Sequence, residues 1–398
     1  MIIRNRAFLT FLFFLFTCCV SGQVLKGVVL DDDTGEPVPY STIFLNNTTF
    51  GVSADVEGNF SLKIPKGNYE VVVRNLGYEL VVINIRTEEL KPFYEIRLIS
   101  DTRQLSEIKV DGERDALWYR NLEIFKALFL GTSENGRKCK ILNPEVLVLD
   151  SESKAGTLSA KAMDVLKISN PKLGYEIDYI LICFKIDSIS NEVYFQGYPS
   201  YKNFAKYESK LPRRIIKSRE QAYRGSIHHF LKSIFYDKDE EEGYLIRQVK
   251  RVPNPERPSD ELIIDAKRKF SQASNSVEKD SLYQNYISRE HLPEIISVGD
   301  TTFSNGSVFT MKNQDDKLML RFEDYLEVTY TEEKMQLAYY GLTSAFYPKA
   351  QTSLLKMTVP YTIINHQGLT ENPFDIFLQG YMGWEKMGDA LPLDYNMD

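Results

Sequence analysis

Gly27-Val28-Val29-Leu30-Asp31-Asp32-Asp33-Thr34-Gly35-Glu36-Pro37-Val38-Pro39-Tyr40-Ser41 decides the fold of the first part of this chain. A β-branched run over 24–30 meets an acidic Gly/Pro turn, and a second run over 38–45 follows. Working outward, Gly51-Val52-Ser53-Ala54-Asp55, the turn Gly58-Asn59-Phe60 and the turn Gly67-Asn68-Tyr69 divide further short runs. Phe60, Leu62 and Ile64 alternate with Ser61 and Lys63, the period-two pattern of a half-buried strand. Short strands at regular spacing predict two packed sheets, a seven-stranded antiparallel sandwich over 23–99. Asp31-Asp32-Asp33 lacks the spacing of a calcium loop and is read as a hairpin turn.

These pieces, together with Leu76-Gly77-Tyr78, resemble the carboxypeptidase-like regulatory domain family, over about a fifth of the chain. The resemblance implies a transthyretin-like β-sandwich with an accessory role and no catalytic residues of its own. It also implies a Bacteroidetes envelope protein, since the family is widespread there. Leu105-Ser106-Glu107-Ile108-Lys109-Val110 resembles the bridging strand that leads into TonB-dependent receptor plugs, but the remaining length is too small for a receptor barrel. The larger part from Phe125 to Asp398 resembles an uncharacterised group found behind this module. Its marks are Phe129-Leu130-Gly131, Cys139-Lys140-Ile141-Leu142-Asn143-Pro144 and Leu391-Pro392-Leu393-Asp394-Tyr395.

Upstream, residues 1–22 read as a signal peptide. Arg4 and Arg6 form a basic start, and an apolar run over 7–16 follows, too short for a membrane span. Cleavage after Gly22 is expected, with acylation at Cys18 or Cys19 as the alternative. The expected location is the periplasm or the outer-membrane surface. No later apolar run approaches spanning length.

Composition sets further bounds. Of 398 residues, 43% are hydrophobic and 26% charged, values of a globular chain with a sizeable core. The 24 Tyr and 23 Phe favour strand-rich cores. The formal charge of −7, more negative still without the signal, argues against nucleic acid as a partner. Two cysteines, Cys139 and Cys183, stay in the mature chain. They lack Cys-x-x-Cys spacing, and whether they pair is open.

The expected organisation is a linker at 100–111, an α+β domain at 112–265, a polar linker or excursion at 266–285 and a β-rich part at 286–398. That last part is either separate or one domain with 112–265. The fold class is therefore β-rich α+β. Trp118, Leu122, Phe125 and Phe129 mark one helix ended by Gly131; Tyr223, Ile227, Phe230, Leu231 and Ile234 mark a second from about Ser218. Strands are expected at 157–168 and at 175–187 paired with 192–195 through a turn at 188–191.

Candidate chemistry is sparse. His291-Leu292-Pro293-Glu294 with His366 has the outline of a zinc carboxypeptidase ligand set. Pro293 breaks its geometry, and with 55 acidic residues a His-x-x-Glu arises readily by chance. His228 and His229 are adjacent, about 100° apart on a helix, and cannot chelate one metal. Gly225-Ser226-Ile227 lacks a nucleophile elbow and is read as a small-residue packing point within the second helix. The basic cluster Lys210, Arg213, Arg214, Lys217 and Arg219 precedes that helix and is the candidate anion or partner contact. No cofactor is expected. The reading is an exported, non-enzymatic envelope protein that binds an unknown envelope protein or glycan. Binding is expected in 112–398, with the β module as spacer or platform. The alternative is an envelope hydrolase whose site assembles from distant segments.

Overall fold

The computed structural model describes residues 23–101, 114–151, 156–187, 192–205, 211–299, 304–312, 317–341, 349–370 and 372–397. The stretch 1–22 read as a signal, with Cys18 and Cys19, the bridging-strand resemblance at 105–110, the expected turn at 188–191 and Lys210 lie outside the described residues.

Seven strands build the first unit. Strands β1 (Gln23–Asp31), β4 (Asn59–Ile64) and β7 (Tyr94–Leu98) form one sheet in the order β4-β1-β7. Strands β2 (Thr42–Leu45), β3 (Gly51–Ser53), β5 (Asn68–Arg74) and β6 (Val81–Arg86) form the other, in the order β3-β2-β5-β6. One ladder departs from the expected antiparallel pairing: β1 and β7 run parallel. In β4 the alternation is strict, with Phe60, Leu62 and Ile64 buried and Asn59, Ser61 and Lys63 exposed. These side chains meet Leu25, Val29, Ile43, Val71, Val73 and Ile96 in one core. Gly27 is required where β7 crosses closest, since a Cβ there would sit 2.2 Å from the Tyr94 carbonyl oxygen. The acidic turn is closed on itself: Asp31 Oδ1 accepts from Thr34 N at 2.8 Å and Asp33 N at 3.0 Å, and Oδ2 accepts from the Tyr78 hydroxyl at 2.9 Å.

A second core lies between helix α1 (Ala116–Phe129) and a six-stranded sheet. Asp115 caps α1 by accepting from Trp118 N at 2.7 Å. The strands are β8 (Lys140–Ile141), β9 (Leu147–Asp150), β10 (Thr157–Ala162), β11 (Leu166–Asn170), β12 (Tyr175–Asp187) and β13 (Glu192–Asn203). The single strand expected at 157–168 is two, because β10 and β11 pair with different ends of the long β12. Phe125 packs edge-on to Phe184 with centroids 4.7 Å apart, and Phe129 to Tyr179 at 5.0 Å. Cys139 and Cys183 are both free. Burial pushes the Cys139 thiol up to about 12.

Helices α2 (Arg213–Tyr223) and α3 (Ile227–Phe235) lead to the third core. The one helix expected here is two. Gly225 adopts φ +74°, and Ser226 turns outward to cap α3, accepting from His229 N at 3.2 Å. Strands β14 (Tyr244–Pro253), β15 (Ile295–Gly299), β18 (Tyr325–Lys334), β19 (Ala350–Met357) and β21 (Ile376–Gly380) make a five-stranded sheet in the order β15-β14-β18-β19-β21. Strands β16 (Thr310–Lys312), β17 (Leu318–Leu320) and β20 (Thr362–Ile364) form a small one. The polar stretch 266–285 falls mostly in helices α4 (Asp260–Gln272) and α5 (Ser276–Asn285). Its Ser/Asn content sits at the junction, where Asn275 caps α5 by accepting from Val277 N at 3.0 Å.

After the short helix α6 (Tyr381–Trp384) the chain leaves the third core and returns to the second, burying Met387, Leu391 and Tyr395 there. Among the described residues, no helix is long and apolar enough to cross a membrane.

Candidate functional site

The three cores do not close fully on one another. Between them lies a cleft of about 1050 Å³, at the upper end of small-molecule sites. The β module supplies one wall through Tyr69 of β5 and Ile83, Ile85 and Arg86 of β6. The α2–α3 junction supplies Tyr223, Ser226, His228 and Leu231. Ile376 and Leu378 of β21 and the returning tail from Met382 to Leu393 complete it. Most of this floor is apolar because each segment offers the outer flank of a separate core.

Several ionisable groups line the cleft. Asp389 is buried, and its Oδ1 accepts from Ser133 Oγ at 2.8 Å and Asn135 Nδ2 at 3.0 Å. Among the described residues its Oδ2 has no hydrogen-bond partner. Burial holds this carboxyl above the usual range, with those two donors and the Lys386 backbone N–H opposing. Glu385 is half-buried, and its carboxyl has no hydrogen bond or ion pair among the described residues. Burial, and after it the charges of Asp389 and Glu333, hold it well above its ordinary value. Lys386 donates from Nζ to the Gly383 carbonyl at 2.5 Å, and burial lowers its pKa.

His228 and His229 diverge, as their adjacency on α3 requires. His228 Nε2 lies 2.5 Å from the Gln367 carbonyl, which accepts, so the proton is on Nε2. Burial pushes this imidazole down to about 4. His229 faces the third core. Its Nδ1 accepts from Gly225 N at 3.2 Å and lies 2.8 Å from the Tyr244 hydroxyl, so Nε2 carries the proton toward Glu242, 3.2 Å away. Both imidazoles are held by their neighbours as packing and capping groups.

The basic cluster is not held together. Arg213, Arg214 and Lys217 stay exposed on α2, whereas Arg219 is 1% exposed. Its guanidinium lies 3.8 Å over the Tyr175 ring and donates to Leu173 O at 2.8 Å and Asn203 Oδ1 at 2.7 Å. The helical period turns Arg219 inward from Lys217, so its charge joins α2 to β12 and β13. None of the four lines the cleft. The zinc-ligand outline is not assembled either. Glu294 pairs with Arg257 at 3.7 Å, whereas His366 lies near Lys66, Lys232 and Glu88. Among the described residues, no three His, Cys, Asp or Glu side chains are grouped to hold a metal ion.

The cleft acids Glu385 and Asp389 escaped the sequence reading. The available signal is Trp384-Glu385-Lys386-Met387-Gly388-Asp389-Ala390-Leu391, three charges within an otherwise apolar run.

Comparison with known proteins gives five results. The family model of the CarboxypepD_reg-like domain matches residues 25–110. A comparison with curated proteins returned no match. Among solved structures, 3-chlorocatechol 1,2-dioxygenase from Rhodococcus opacus is similar over 19% of this chain and 59% of its own, at 12% identity and TM-score 0.16. A proposed carbohydrate binding protein from Bacteroides uniformis is similar over 40% of this chain and 60% of its own, at 11% identity and TM-score 0.17. A proposed membrane-associated protein of unknown function from Bacteroides fragilis is similar over 89% and 92%, at 9% identity and TM-score 0.16. The chain thus spans about three fifths of the dioxygenase and of the Bacteroides uniformis protein. The sandwich built from β1 to β7, matched over residues 25–110, is a carboxypeptidase-regulatory-like domain, a regulatory and non-catalytic module standing ahead of a larger α+β portion.

Proposed function

We propose that this chain is an exported cell-envelope binding protein, not an enzyme, and that its ligand occupies the cleft between the three cores. The observation that carries this reading is the cleft itself, with an apolar floor, polar and charged groups of both signs along its lining and walls from three separate cores. The regulatory module fits an accessory part in binding or assembly. Export rests on the basic and apolar pattern of residues 1–22. The expectation that binding resides in 112–398 alone changes accordingly. Tyr69, Ile83, Ile85 and Arg86 of the module are part of the wall, so the module shapes the site.

Two measurements test this. The neutral probe N-phenyl-1-naphthylamine should gain fluorescence on binding the full chain. Leu378→Trp, which fills the cleft from β21, should abolish the gain without lowering Tm by more than a few degrees. Absence of probe binding by the unaltered chain overturns the cleft as a site. Fractionation should place the mature chain in the envelope, and recovery in the cytosol overturns export.

A further inference from the structure

Sheet edges are where unpaired backbone groups collect, and folded chains blunt them with charges, prolines or cover. Among the described edge strands of five or more residues, β4, β6, β7 and β13 carry charged side chains. β21 carries none, but the Gly383 backbone stands against its Leu378 carbonyl, where a Cβ would come within 2.5 Å. β15 has neither protection. It reads Ile-Ile-Ser-Val-Gly, ends the five-stranded sheet and is bonded only to β14. Ile295 is 46% exposed and Val298 52%. None of its residues lines the cleft.

Register fixes which backbone groups of β15 face outward. Val252 lies opposite Ile296, and Lys250 opposite Val298. In the same ladder Asn254 N donates to Glu294 O at 2.8 Å, so Ile296 and Val298 are the positions bonded to β14. The N–H and C=O of Ile295, Ser297 and Gly299 therefore point away from the sheet, without a partner among the described residues. These three positions are symmetric about Ser297. A second β15 laid antiparallel, Ser297 opposite Ser297, brings Ile295 opposite Gly299, and each such pair exchanges two bonds. Every outward group of the strand is then met. The side chains agree with this register. Ile296 comes opposite Val298 at the closer, non-hydrogen-bonded positions, an apolar β-branched pair formed twice. Ile295 meets Gly299, which leaves room for it. Like charges are not opposed, because β15 has none. On β14, Lys250 pairs with Asp324 at 3.5 Å and Arg251 donates to Gln379 at 2.9 Å.

We propose that β15 pairs with β15 of a second copy of this chain, antiparallel about Ser297, so that the two five-stranded sheets continue as one. The occupant is a second copy because the edge complements itself in hydrogen-bond pattern, side-chain size and charge. Five residues a side make a contact below the ~1,200–2,000 Å² of stable interfaces, so the dimer is weak, with a Kd on the order of 10–100 μM.

Sedimentation equilibrium on the mature chain, from about 1 μM to about 200 μM, should show a reversible monomer–dimer exchange. Val298→Lys sets a charge opposite Ile296 of the second copy and should weaken association at least about tenfold. Ser297→Pro removes an outward N–H and no bond to β14, and should weaken it as much. Tm values close to that of the unaltered chain show that the variants fold, and one folded variant is enough for the comparison. Ser297→Cys, in a Cys183→Ser background, should cross-link the dimer under mild oxidation. Ile295→Cys should not, because its two copies lie about 13 Å apart in this register. A chain that stays monomeric at about 200 μM overturns the pairing. So does a dimer that survives substitution at Val298 and Ser297, or one that cross-links through Ile295→Cys as readily as through Ser297→Cys.

Discussion

Asp394 closes on Thr49 across 345 positions of sequence. Its Oδ1 accepts from Thr49 N at 2.9 Å, and its Oδ2 accepts from the Thr49 hydroxyl. Around this pair, Leu393 N donates to Asn47 O at 2.7 Å, and Asn47 N donates to Pro199 O at 2.8 Å. The loop between β2 and β3 is thereby held by both the tail and β13. Charge-assisted bonds of this kind exceed neutral ones, so Asp394→Ala is predicted to weaken module docking by about 2–3 kcal/mol. Equilibrium denaturation with Thr49→Val and the double variant checks it. Strictly additive effects would show that the pair does not couple.

Arg219 is predicted to be among the costliest basic residues to lose. Truncation to Ala leaves the Leu173 carbonyl and Asn203 Oδ1 without a donor and uncovers Tyr175. A loss of about 3 kcal/mol or more is expected. Arg213→Ala, Arg214→Ala and Lys217→Ala, all on exposed positions, should stay within about 0.5 kcal/mol. A chemical-denaturation series compares the four. Near-neutral Arg219→Ala would contradict its role as a packing residue.

Stability should depend on pH through two groups of opposite sign. His228 is held down to about 4, below its ordinary 6.5. Between these values the unfolded chain binds a proton that the folded chain refuses, so stability is lost as pH falls from 6.5 to 4. His228→Gln should flatten this acid arm, by at most about 3 kcal/mol at pH 4. Urea titrations at several pH values read it directly.

Glu333 works the other way. Burial raises it from 4.5 to about 7, with Arg224 and Gln351 opposing. The folded chain keeps a proton that the unfolded chain gives up, so stability falls as pH rises from 4.5 to 7. Because the side chain is only half-buried, Glu333→Gln should gain on the order of 1 kcal/mol at pH 8 and little at pH 4. Equal effects at both pH values would refute the linkage.

Gly225 joins α2 to α3 at φ +74°, and a Cβ there would sit 2.1 Å from Gln351 Oε1 and 2.9 Å from the Tyr330 ring. Gly225→Ala is predicted to cost about 2 kcal/mol from backbone and packing together. Thermal unfolding of the variant checks it. An unchanged Tm would mean that the junction relaxes freely.

Where structure follows from local pattern, the sequence was legible. The alternation at Phe60, Leu62 and Ile64, the acidic turn closed by Asp31 and the helix carrying Leu122, Phe125 and Phe129 all depend on near neighbours in the chain. The break at Gly225 was harder to see, because Tyr223, Ile227, Phe230 and Ile234 keep a helical spacing across it. There the positive φ and the packing against Gln351 override the period.

By itself, the sequence determined the β module with its turns, the β-rich α+β class of the remainder and the family to which residues 25–110 correspond. Tertiary structure alone decided which charges serve the fold and which line a cavity. Arg219 goes inward and Lys217 outward two positions apart, and Glu385 and Asp389 reach the cleft because the tail leaves one core to pack on another. The physical reason is that a helical period says which positions share a face, whereas the partners that bury an ionisable group come from other elements, Leu173 and Asn203 for Arg219 and Ser133 and Asn135 for Asp389.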